Sequence, residues 1–124
     1  MTLPANISFR LSAQRALLTH VTPPLRAVSL TVDEPNRRWA IRFVFDGRPS
    51  ESQLDAARCA VTEILADFPD WEYTDQFQFV PAPGDFKGLE WSVFHRCEDE
   101  WVGPDPEPIS GSTDMNKSET PRPN

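Results

Sequence analysis

No stretch of about 18 consecutive apolar residues occurs in the 124-residue chain, so a membrane-spanning helix is excluded. Cysteine is scarce. Cys59 and Cys97 are the only two, too few for a disulfide scaffold or for a zinc site of cysteines alone. Met1–Arg10 lacks the basic-then-apolar order of a cleaved signal peptide, and a bacterial-type cytoplasmic protein is the resulting expectation. Also missing are G-x-G-x-x-G, the P-loop, G-x-S-x-G, H-E-x-x-H and the calcium-loop spacing. With none of these present, a familiar enzyme class is not expected, and neither are a cofactor or a metal.

What is present is unevenly spread. Residues 1–48 hold seven arginines against Asp33, Glu34 and Asp46, a net charge of +4. Residues 49–100 hold twelve acids against Arg58, Lys87 and Arg96, a net charge of −9. The chain total of −7 therefore belongs to the second half of the folding region. Such a field repels nucleic acid and favours basic partners, whose encounter it speeds. The plain alternative for any single acid is a solubilising surface charge. Of the thirteen prolines, five lie beyond Trp101. Residues 102–124 offer only Val102, Ile109 and Met115 as apolar side chains and are expected to form a disordered tail after one domain over 1–101.

Hydrophobic periodicity maps that domain. A first amphipathic helix is expected from about Ser8 to His20, with Leu11, Leu17, Leu18 and Val21 inward and Pro23-Pro24 as its stop. Alternation of Val28, Leu30 and Val32 with Ser29 and Thr31 predicts a strand, and Asp33-Glu34-Pro35-Asn36 a turn. Trp39, Ile41, Phe43 and Phe45 alternate with Ala40, Arg42 and Val44 in a second strand, the partner of an antiparallel hairpin. Ser50 with Gln53 is a capping-box signature. It opens a helix whose stripe is Leu54, Ala57, Val61, Ile64, Leu65 and Phe68, ended by Pro69. Trp71, Tyr73, Phe77 and Phe79 mark a third strand, and Leu89, Trp91, Val93 and His95 a fourth.

The order α-β-β-α-β-β predicts an α/β (α+β) two-layer sandwich, a four-stranded mixed sheet with two helices on one face. Its other face would present Ser29, Thr31, Arg42, Val44, Gln76 and Phe94 among others. A recognition surface and a plain solvated face are equally consistent with that mixture.

Catalytic candidates are few. His20 closes the first helix, where a cation meets the negative end of the dipole. His95 and Cys97 share one side of a strand at i, i+2, but a metal needs further ligands and a nucleophile needs an orienting third group. Packing is the better account of both. Arg37, Arg38 and Arg42 beside Trp39 suggest a phosphate patch, yet alternation divides Trp39 from Arg38 and Arg42, and the net charge opposes nucleic-acid binding.

Three segments, Arg15–Val28, Arg42–Gly47 and Val61–Pro69, resemble the immunity proteins of polymorphic or contact-dependent bacterial toxin systems, a likeness spanning about residues 9 to 97. The resemblance implies a non-catalytic protein that binds and neutralises a cognate toxin domain, often a nuclease. A nuclease is basic where it holds phosphate, so the acidic second half is expected to occlude it sterically and electrostatically. The expected contacts are Asp67, Asp70, Glu72, Asp75, Glu98, Asp99 and Glu100. Rival readings are a small enzyme or ligand-binding domain with a site near His95 and Cys97, and an adaptor that uses the open sheet face.

Overall fold

The computed structural model describes residues 3–98. The tail expected over 102–124, and the candidate contacts Asp99 and Glu100, lie outside the described residues. Within them the chain runs α1 (Ala5–Leu17), β1 (Leu25–Asp33), β2 (Arg38–Phe45), α2 (Glu51–Asp67), β3 (Glu72–Phe79) and β4 (Trp91–His95). The strands form one sheet in the order β3-β2-β1-β4. β1 pairs antiparallel with β2 and with β4, while β2 and β3 are parallel and joined through α2. Two helices against a four-stranded mixed sheet is the architecture the periodicity predicts.

Local chemistry explains the element ends. Ser50 accepts the Gln53 backbone N–H at 3.2 Å, and the Gln53 side chain accepts the Ser50 N–H at 2.8 Å, closing the capping box at α2. Past α1, the His20 Nδ1 lies 2.7 Å from the Ala16 carbonyl, one of those the helix leaves unpaired. Gly47, at φ +78°, turns the chain from β2 toward α2 in a backbone region that suits glycine.

The core lies between the helices and the inner faces of β1 and β2. Phe9, Val28, Leu30, Ile41, Phe43 and Ile64 are fully buried there. The register that pairs Ile41 with Asp75 and Phe43 with Phe77 puts Tyr73, Asp75, Phe77 and Phe79 on the helix side of β3. Because β3 is an edge strand, Tyr73 and Phe79 nevertheless remain 44% and 40% exposed.

Three expectations are corrected. α1 begins and ends about three residues early, and it buries Phe9, Ser12, Ala13, Ala16 and Leu17 rather than Leu11, Leu18 and Val21. The reason is Phe9, which stacks on Phe68 at 3.7 Å between ring centroids and also meets Trp39 and Trp71. Small Ala and Ser side chains on the same face let the helix approach closely. The second correction concerns β4. A register shift opposite Val28 and Ser29 pairs Phe94 with Val28 and Ser92 with Ser29. Phe94 therefore joins the core, and His95, paired with Ala27, turns to the opposite face. Third, the sheet face away from the helices is not bare. Ala27, Ser29 and Val44 are buried on it, because the connection after β3 crosses β1: the Leu89 N–H donates to Ser29 Oγ at 2.7 Å.

Candidate interaction surfaces

Charged side chains cluster at two ends of the sheet. At the end where Leu25 faces Phe45, Arg26 is almost wholly buried, and its guanidinium donates to both carboxylate oxygens of Glu98, at 2.6 and 2.7 Å. Its remaining Nη1 donates to the Val80 carbonyl at 2.7 Å, and the group lies over the Phe86 ring. Arg96 joins Glu98 and Asp46 at 3.1 and 3.0 Å. Asp46 also accepts the Ala82 N–H at 2.9 Å. Hydrogen bonding from Arg26 holds the Glu98 carboxyl below its usual range, and the Ala82 N–H and Arg96 do the same for Asp46. This network ties β1, the β2 end and the chain after β4 together.

The other candidate acids among the described residues, Asp67, Asp70, Glu72 and Asp75, lie toward the opposite end. Asp67, the last residue of α2, accepts from Ser12 Oγ at 2.6 Å and pairs with Arg15, so it fastens one helix to the other. Asp70 lies exposed in the turn before β3. Glu72 faces Arg38 at 3.3 Å with both side chains largely exposed. Asp75 is half-buried on the β3 edge, and neither it nor Asp70 has an ion pair among the described residues.

The expected contacts therefore do not form one patch. In register, Glu72 stands opposite Arg38 and Glu98 beside the Leu25–Phe45 pair, a separation of seven strand residues, or roughly 23 Å. Asp70 and Glu72 lie at the start of β3, and Asp75 lies further along the same edge strand, on its helix side. Asp67 and Glu98 serve internal ion pairs. Sequence reasoning missed Arg26, since a charge beside a buried strand reads as surface until its carboxylate partner, 72 residues away, is placed against it.

The His95 region holds a concavity of about 590 Å³ between β1 and the loop of residues 82–89. His95 stacks on Phe86 at 5.6 Å, and its Nδ1 lies 2.9 Å from the Arg96 carbonyl. Cys97 is exposed, as is Cys59. Among the described residues no group of three His, Cys, Asp or Glu side chains is placed to hold a metal. None of their helices is long and apolar enough to cross a membrane.

The sequence pattern of the MafI2 immunity protein family matches residues 6–98, from the first turn of α1 to the carboxylate that holds Arg26. The chain belongs to the MafI2 immunity protein family. No curated protein matches it. The family match covers the described helices and strands from the second residue of α1 to the end of β4. Membership points to a toxin-neutralising role, to a cognate toxin as partner, and to binding rather than catalysis.

Proposed function

We propose that this MafI2-family protein neutralises its cognate toxin by occlusion, seating a basic surface of the toxin domain against the β3 edge. The family match over residues 6–98 carries the immunity reading. Charge chemistry supports the choice of edge. Asp70 and Asp75 have no counter-ion among the described residues, and Glu72 gives up only an exposed pair with Arg38 when a toxin cation approaches. Exposed pairs of that kind contribute little, so exchanging one for an interfacial contact is inexpensive. Tyr73 and Phe79 add partly exposed aromatic surface on the same strand, of the residue type that anchors protein interfaces. Asp67 and Glu98 act at a distance by holding the fold, while Asp99 and Glu100 extend the acidic charge along the chain.

The decisive experiment co-expresses the chain with its cognate toxin. Growth is expected only when this protein is present. Replacing Asp70, Glu72 and Asp75 together by lysine is expected to weaken the purified complex by about a hundredfold and to flatten its salt dependence. Unchanged affinity in the triple variant would remove the β3 edge from the interface.

A further inference from the structure

Among the described residues, five of the seven large apolar side chains that are exposed belong to residues 3–21. They are not scattered. At 100° per residue, Ile7, Gln14, Leu18 and Leu11 fall within an arc of about 60° on α1, opposite the buried face built on Phe9. Leu11 is 55% exposed and Leu18 80%. The strip then runs into a groove of about 320 Å³, where Leu17, Leu18 and Val21 face Val93 and Phe94 of β4. A helix apolar on two sides is ordinarily covered on both, and here one side has no cover among the described residues.

Charge narrows what covers it. None of the 19 acidic residues of the chain precedes Asp33, so the strip has no acid of its own. Arg10 borders it on one side and Arg15 on the other at the same helical spacing. Arg10 lies over Trp91 at 4.8 Å, and Arg15 keeps 66% of its side chain exposed while meeting Asp67. A second copy seated strip to strip would set arginine against arginine, which is unfavourable. From the apolar centre and basic rim, we infer that α1 is a second docking surface, for a protein segment with an apolar ridge and acidic flanks. That chemistry is the reverse of the basic surface assigned to the β3 edge, so this partner is distinct from the occluded face of the toxin. Helix-in-groove recognition supplies the physical mode: apolar anchors at i, i+4 and i+7 entering a groove between a helix and a sheet edge.

The test uses the full-length protein and two synthetic amphipathic helical peptides with the same leucine ridge, one flanked by glutamates and one by lysines. Calorimetry is expected to show the glutamate peptide binding about tenfold or more tightly than the lysine peptide at low salt. Backbone NMR shifts are expected at Ile7, Leu11, Leu18 and Val21. The double variant Leu11→Gln, Leu18→Gln is expected to lose about tenfold in affinity with an unchanged circular dichroism spectrum. Absence of binding, equal binding of the two peptides, or shifts confined to another surface would overturn the inference. So would a concentration-dependent dimer abolished by Leu18→Gln, which would make a second copy the occupant. A double variant that fails to neutralise the toxin, beside a Lys triple variant that still does, would assign the strip to the toxin instead.

Discussion

Arg26 and Glu98 meet through two parallel hydrogen bonds, 2.6 and 2.7 Å long, between the start of β1 and the chain beyond β4. The Arg26 side chain is only 3% exposed, so Glu98 is what makes its burial tolerable. Glu98→Ala is expected to lower the thermal midpoint by several degrees, because it strands a buried guanidinium. Arg96→Gln, which removes a more exposed contact to the same carboxylate, is expected to cost less. Differential scanning calorimetry of the two variants checks the order.

A pH dependence follows from the same network. The Glu98 and Asp46 carboxyls are both held below their usual range in the folded protein, chiefly by Arg26 for the first and by the Ala82 N–H and then Arg96 for the second. A group lowered on folding contributes stability that is present above its unfolded pKa, about 4 for a carboxylate. That stability is lost as pH falls through the folded value. Urea midpoints are therefore expected to fall as the pH drops below about 4, and the double variant Asp46→Asn, Glu98→Gln to show a shallower acid limb. An acid limb identical in the two proteins would show that the network does not govern acid stability.

Phe9 anchors α1. Truncation to alanine removes a fully buried ring that contacts Phe68, Trp39 and Trp71 at once. The expected loss is about 3–5 kcal/mol by denaturant titration. Leu11→Ala, on the opposite face of the same helix, is expected to lose well under 1 kcal/mol. The contrast tests which side of α1 supports the fold.

His95 and Cys97 are expected to be dispensable. His95 stacks on Phe86, and no metal-holding group forms near it among the described residues. His95→Ala and Cys97→Ala are expected to leave toxin neutralisation unchanged in the growth assay. Loss of protection with a retained fold would revive a functional site in the concavity beside β1.

The order of elements, the capping box at Ser50 and Gln53, and the inner face of β2 were legible in the sequence, because each is written in neighbouring residues. Helical stripes, alternation and caps are local, and the family likeness rests on segments of that kind. Only the tertiary structure decided the rest. α1 carries apolar residues on two sides, so periodicity alone could not choose between the Phe9 face and the Leu11–Leu18 face; four aromatic rings meeting in space made the choice. The β4 bulge reversed Phe94 and His95, since one extra residue flips the side chains beyond it. The missing motifs gave no ground to expect a familiar enzyme class, and two cysteines are too few for a disulfide scaffold. The acidic half, read as one field, divides into carboxylates that hold the fold through ion pairs and the carboxylates of β3 and the turn before it, because charge is summed along a chain but acts only across the distances that folding sets.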